Sequence, residues 1–270
     1  MIRKTLIIGI FAFLLQTSSV LAASTDSETL KKSNNQNTTG ECFEKASRAI
    51  FAFNYTLDKS FFKPIAKGYR SLPVPLRKGT SNALDNLRSL LTLSNNILQG
   101  EFKEAGVTAG RFAVNTTAGI LGIFDPAEKL GLEKKGKEDF GQTMAVWGAG
   151  TGCYFVLPVL GPTTSRDAIG LVGNLFLDPV YQITHNTEIS NDVVGNGNYS
   201  EHNYYYYRTT SSVDFRAKNI ESFDSVEKNS IDLYASLKSL YLQDRNKKVR
   251  NSQSTVSTQD DSDWEEIDTN

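Results

Sequence analysis

The sequence predicts an all-α protein, and three observations lead there. Apolar residues recur at three- and four-residue intervals from Phe43 to Gln99 and again from Val213 to Arg245, the spacing of one face of a helix. Alternation with a period of two never runs far enough to mark a strand of ordinary length. The most apolar stretch, Phe140 to Ile183, carries only Arg166, Asp167 and Asp178 as charges, yet Gly148, Gly150, Gly152, Pro158, Gly161 and Pro162 interrupt it. Those breaks exclude one straight spanning helix, so the tract reads as buried or lipid-facing polypeptide that does not cross a bilayer.

Taken in chain order, residues 1–22 read as a secretory signal. Arg3 and Lys4 form the positive end, Leu6 to Leu15 the apolar segment and Val20-Leu21-Ala22 a small-residue cleavage site, too short in its apolar part to span a membrane. Residues 23–40, rich in Ser, Thr, Asn and Lys, read as a flexible leader. Phe43, Ala46, Ile50, Phe53, Leu57 and Phe61 predict a first amphipathic helix over Phe43 to Phe62, with Pro64 at its end or opening the next turn. Leu84, Leu87, Leu91 and Leu98 predict a second helix over Leu76 to Gln99, stopped by Gly100.

A third helix is predicted from Glu101 to Asn115, where Gly106 and Gly110 would let another backbone approach. Pro126 should open a brief helical turn after the Gly-punctuated connection Thr116 to Asp125, and Lys129 to Asp139 reads as an exposed charged loop. The apolar tract is expected to hold two short helices split around Pro158 to Pro162, the second capped by Thr163 or Ser165 and running to Leu177. Residues 186–207, Asn-rich and then the Tyr204 to Tyr207 run, read as a surface insertion. Helical spacing resumes from Val213 to Arg245, closing a folded domain over residues 41–245. Residues 246–270 read as a disordered tail, basic and then acidic, its end a solvated arm.

Composition excludes several classes of function. A net charge of −1 argues against nucleic acid as partner. The two histidines, His185 and His202, sit in or beside the low-complexity segment, a poor place for a preorganised triad. The sequence contains no nucleophile elbow, Walker loop or metal-spaced His/Cys cluster, and Gly148-Ala149-Gly150-Thr151-Gly152 lacks dinucleotide spacing. The expectation is therefore no enzyme, no cofactor and no metal. Cys42 and Cys153 fit either one bridge in an exported protein or two separately buried thiols.

A series of ordered motifs then resembles the MlaA (VacJ) family of the Gram-negative outer membrane. They include R-A-I-F-A-F-N at Arg48 to Asn54, K-P-I-A-K-G-Y-R at Lys63 to Arg70 and R-F-A-V-N-T-T at Arg111 to Thr117. G-I-F-D-P-A at Gly122 to Ala127, E-D-F-G-Q-T at Glu138 to Thr143 and L-P-V-L-G-P-T-T-S-R-D at Leu157 to Asp167 continue the series. The resemblance implies a single ring-like domain of amphipathic helices in the inner leaflet, with a central channel. It implies a conduit that removes phospholipid mislocalised to the outer leaflet and passes it to the periplasmic carrier MlaC, with a trimeric porin holding the ring. The alternative is a structural or interaction protein of the envelope surface, contributing to virulence or intercellular spread.

The same resemblance nominates polar residues for the lipid path: Arg48, Asn54, Arg111, Asn115, Gln142, Arg166 and Asp167. Each has a second reading as an internal structural group, since buried charges persist only when satisfied. Gly119, Gly122 and Gly131 are hinge candidates on this view, or members of a plain interhelical loop. Family members carry a lipobox cysteine, whereas this signal ends V-L-A-A-S, which predicts a periplasmic protein held by its helices and partners and not by a lipid anchor. Cys42 and Cys153 stand where the family has prolines, and that paired change motivates a Cys42–Cys153 staple.

Overall fold

The computed structural model describes residues 40–185 and 202–253, with side chains to residue 250. The signal segment, the leader before residue 40, positions 186–201 of the proposed insertion and the acidic tail lie outside the described residues. Helices dominate, as the periodicity predicts.

The first helical run is α1 (Glu44–Leu57), a π-helical turn Asp58–Phe62 and α2 (Lys63–Arg70). Pro64 lies in the first turn of α2. It has no N–H for the preceding ladder, and the widened π turn just before it absorbs that mismatch. The long helix α3 (Val74–Gln99) begins at the Pro73-Val74-Pro75 break and ends at Gly100, whose φ is +79°. Glu101 N–H donates to Asn96 O at 2.8 Å and Gly100 N–H to Ile97 O at 3.1 Å, a paired closure that needs a left-handed residue and so favours glycine. α4 (Phe102–Thr117) packs back along α3, and α5 (Pro126–Lys129) follows a tight loop.

Within the apolar tract the structure has the two short helices expected, the second ending at Leu177, and places an unexpected hairpin between them. It holds α6 (Phe140–Val146), an antiparallel hairpin of β1 (Tyr154–Leu157) and β2 (Gly161–Thr164), and α7 (Ser165–Leu177). The register pairs Tyr154 with Thr164 and Leu157 with Gly161. Tyr154 and Val156 are buried while Phe155 and Leu157 are half-buried. That is period-two alternation, but over four residues it is too short to stand out in the sequence. The N-cap of α7 is Thr164, between the two expected caps; its side chain accepts from Asp167 N–H.

α8 (Pro179–His185) starts directly after Asp178, and α9 (His202–Lys218), α10 (Ile220–Asn229) and α11 (Leu233–Gln253) complete the chain. Two corrections follow. The Tyr204 to Tyr207 run is helical, with Tyr204 buried and its ring edge-on to Tyr181 at 5.1 Å. Tyr204 and Tyr207 lie three residues apart, which puts both on one helix face. The last helix also continues eight residues past Arg245, so the start of the proposed tail is helix.

Apolar packing is local and small. Ala66, Ala217 and Ile220 form one cluster with Tyr69 against it; Tyr154, Val156 and Tyr234 form another, packed by Ile50, Phe51, Tyr241 and Leu242. Gly141 and Gly170 bring α6 and α7 into backbone contact. Close approach therefore occurs there and not at Gly106, where an added Cβ would meet nothing within 4 Å.

Candidate functional site

Polar and apolar residues are distributed against the usual rule for a water-soluble domain. Gln142, Asn95, Thr143 and Thr164 are fully buried, whereas Phe176, Phe102 and Leu121 are 73, 72 and 71% exposed. The helix α3 shows the pattern most clearly. Its Asn86, Thr92, Asn95 and Asn96 are buried, while Val74, Leu76, Ile97 and Leu98 of the same helix are exposed. Exposed single apolar residues are ordinary, but extended apolar surface marks contact with lipid or protein.

Buried polar groups must be satisfied, and the interior is organised to do so. Thr143 Oγ1 donates to Asn95 Oδ1 at 2.7 Å, Gln99 Nε2 donates to Thr143 Oγ1 at 3.0 Å, and Asn86 Nδ2 donates to Thr116 Oγ1 at 2.9 Å. Arg245 of α11 forms an ionic junction with two carboxylates at the starts of α6 and α7. Its Nη1 and Nη2 donate to Asp139 at 2.6 and 3.0 Å, and its Nε and Nη2 donate to Asp167 at 3.0 and 2.8 Å. Tyr241 OH donates to Asp167 Oδ2 at 2.6 Å. Burial would raise both carboxyls, but Arg245 holds Asp139 and Asp167 below the usual carboxylate range.

The candidate lipid-path residues lie at separate structural junctions. Arg48 pairs with Glu44 at 2.8 Å and Asp232 at 2.9 Å and lies over the Tyr234 ring. Asn54 fixes the hairpin turn, donating to Leu157 O at 2.8 Å and accepting from Val159 N–H at 2.7 Å. Arg111 donates to Asp125 and Leu132 O, and Asn115 donates to Asp125 at 2.9 Å while accepting from Ala127 N–H. Gln142 donates to Lys137 O at 3.0 Å, leaving its buried Oε1 without a partner. Arg166 pairs with its neighbour Asp167 at 3.2 Å. Two groups of candidates are brought together: Gln142, Arg166 and Asp167 around Arg245 and Asp139, and Arg111 with Asn115 on Asp125.

At the hinge candidates, a Cβ on Gly119 would lie 2.4 Å from both Asn115 O and Phe124 O, and one on Gly122 would lie 2.5 Å from Asn86 Cβ. Gly131 has a φ of +76° and open space around it. Ile120 and Leu121, between the first two glycines, have φ of 52° and 57°, a conformation uncommon outside glycine and costly for a β-branched side chain. Both are exposed, as are Ile123 and Phe124.

Cys42 and Cys153 are joined as a disulfide, their Cα atoms 5.5 Å apart and 111 residues distant in sequence. Beside it Glu41 bridges to Tyr154, and Tyr154 N–H donates to Gly40 O at 2.9 Å. Glu41 also accepts from Tyr234 and Lys238 of α11.

A polar cleft of about 60 Å³ opens between α3, α4 and the loop Lys134 to Lys137. Asp85 on its wall takes Lys134 and Lys137 at 2.8 Å each; against burial, these cations bring its carboxyl down to about 2. Sequence reasoning missed this cleft and the Arg245 junction. The recurrence of Asn82, Asp85, Ser89, Thr92 and Asn96 along one helix face was the available signal for the cleft. Nothing in the sequence distinguishes Arg245 from the neighbouring basic residues.

Comparison with known proteins places these features in a family. The family model described as MlaA lipoprotein matches residues 40–248. An uncharacterised protein of Rickettsia bellii (strain RML369-C) is 35% identical over 211 residues, covering 77% of this chain and 76% of that protein. The intermembrane phospholipid transport system lipoprotein MlaA of Haemophilus influenzae is 30% identical over 178 residues, covering 62% of this chain and 71% of its own. A solved structure from work on the structural basis for maintenance of bacterial outer membrane lipid asymmetry matches with a TM-score of 0.64 at 25% identity, covering 78% of this chain and 99% of that chain. The family match spans every element from α1 to the body of α11, and this chain belongs to the MlaA lipoprotein family.

Proposed function

We propose that this protein is a non-enzymatic phospholipid conduit at the inner leaflet of a Gram-negative outer membrane, moving mislocalised phospholipid toward a periplasmic carrier. The observation that carries the reading is the reversed partition of α3, with Asn95 and Asn96 buried while Ile97 and Leu98 are exposed. Such a surface favours an apolar surrounding on its outside, and its polar interior suits a headgroup. Among the described residues no helix is long and apolar enough to cross a membrane, which agrees with helices lying in one leaflet.

The physical need is large. Drawing a two-chain lipid into water exposes roughly 30 methylenes at about 0.8 kcal/mol each, on the order of 20 kcal/mol. A protein that shelters the tails removes most of that barrier without making or breaking a covalent bond. By family resemblance, a trimeric porin and the carrier MlaC are its partners. The Haemophilus influenzae relative is named a lipoprotein, and in this member the exposed apolar side chains of the described residues supply a hold on the leaflet of their own.

Deleting the chain and measuring phospholipid in the outer leaflet tests the proposal: a rise is expected, and an unchanged leaflet overturns it. Purified protein should also carry phospholipid in defined stoichiometry and release neither fatty acid nor headgroup from it.

A further inference from the structure

The cleft between α3, α4 and the Lys134 to Lys137 loop has a charge balance that its internal pairs do not exhaust. Arg111 is matched by Asp125, and Asp85 is shared by Lys134 and Lys137. That leaves one lysine charge of this pair uncompensated; Lys135 adds a charge held only by an exposed pair with Glu133 at 3.6 Å, and Arg88 adds another that also faces the buried Asp178. The Nε of Arg88 is buried with no hydrogen-bond partner. A buried guanidinium donor left unmatched by the protein is costly, and of the acceptors that can relieve it an anion does so most strongly.

Size and surroundings narrow the anion. A cleft of about 60 Å³ has room for about four waters, the bulk of one phosphoryl group and too little for an acyl chain. Its rim continues into apolar surface. Asn82 and Asn86 line the cleft, and they also hold the strained loop: Asn82 Nδ2 donates to Ile123 O at 3.1 Å, and Gly122 seats against Asn86. Ile120, Leu121, Ile123 and Phe124 stand exposed on that loop. A cationic recess beside apolar side chains is the arrangement that an amphiphile with a phosphate head and hydrocarbon tails requires.

We propose that this cleft is a phosphoryl-anion site, with Arg88, Lys134, Lys135 and Lys137 binding the phosphate and the Ile120 to Phe124 loop receiving attached acyl chains. The assignment rests on the conduit reading for its lipid source, while the phosphate chemistry stands on the cleft itself. Asp85 opposes the anion and limits its affinity, so the site releases what it binds.

Titration of the full chain with inorganic phosphate and with dihexanoyl phosphatidylglycerol below its micellar concentration tests the proposal. The short-chain lipid should bind more tightly than phosphate. Arg88→Gln and Lys135→Gln should each weaken both ligands about tenfold, whereas Asp85→Asn should tighten both. Leu121→Ser with Phe124→Ser should weaken the lipid and leave phosphate unchanged; unchanged affinity for both ligands would assign the site to free phosphate, which keeps the anion chemistry and removes the lipid source. Circular dichroism and the unfolding midpoint identify any variant that fails to fold, and Asp85→Asn, a gain of binding, does not depend on the loss variants. Wild-type affinity in Arg88→Gln, Lys135→Gln and Asp85→Asn alike would overturn the proposal. Phospholipid extraction from vesicles, run in parallel, separates the two ideas: extraction without cleft binding leaves the conduit and removes this site, and cleft binding without extraction does the reverse.

Discussion

Arg245 and Asp139, 106 residues apart, are joined by two hydrogen bonds of 2.6 and 3.0 Å in a fork-to-fork pair. Because Asp139 caps α6 and Asp167 lies in the first turn of α7, the same guanidinium fixes the starts of two helices against the middle of a third. The fork geometry, more than the charge, makes this possible: one planar group serves both carboxylates.

Replacing Arg245 with alanine leaves Asp139 without its counter-ion and Asp167 with only its neighbour Arg166. Arg245→Ala should lower the free energy of unfolding by about 3–5 kcal/mol, and Arg245→Lys should recover only part of it because an ammonium cannot span both partners. Urea denaturation followed by circular dichroism reads the change. A loss below about 1 kcal/mol, the range of an exposed pair, would show that the junction is not structural.

The Cys42–Cys153 bridge closes a loop of 111 residues and ties the chain entering α1 to the hairpin. Substituting both cysteines with serine should destabilise the protein by about 2–4 kcal/mol, and reduction of the wild type should reproduce the loss. A non-reducing peptide map should recover the two cysteines in one cross-linked fragment. Recovery of two free thiols would remove the staple.

Burial, with the nearby carboxylates of Glu138 and Glu104, pushes Glu101 up to about 7 from 4.5. A carboxyl that holds its proton more tightly when folded contributes stability that is fully present below pH 4.5 and lost as pH rises through about 7. Glu101→Gln stays neutral and should not show that loss. Thermal midpoints measured across this window should fall for the wild type relative to the glutamine variant, and parallel curves would contradict the shifted titration.

At Gly170 an added Cβ would lie 2.6 Å from Gly141 N and 2.7 Å from Gly141 Cα, backbone atoms with no room to move. Gly170→Ala should therefore cost about 1–3 kcal/mol through overpacking of α6 on α7. Gly106→Ala, also in a helix but with nothing within 4 Å, should be neutral or stabilise by up to about 1 kcal/mol. Equal effects at the two positions would argue that the α6–α7 contact is looser than the structure has it.

Much of the helical architecture was legible from local chemistry. The spacing of Phe43 to Phe61, the stop at Gly100 and the start at Pro126 each depend on a few adjacent residues, and each appears where expected. The hairpin was not legible, because Tyr154 to Leu157 is too short for its alternation to register and Pro158 and Pro162 suggested a break between helices. The Tyr204 to Tyr207 segment was misread for a related reason: four like residues show no period, and only packing against Tyr181 reveals which of them face inward.

By itself, then, the sequence determined most of the helices, the glycine and proline that bound several of them, and the family, since periodicity, turn chemistry and motif order are properties of neighbouring positions. Only the tertiary structure decided which face of each helix is covered. Leu98 and Asn96, two residues apart on α3, look like core and surface in sequence and are the reverse in the fold. Arg245 with Asp139, Cys42 with Cys153, and Arg88 above the lysine loop were equally hidden, because a charge or a thiol acquires its partner and its solvent exposure only when segments far apart in the chain are packed together.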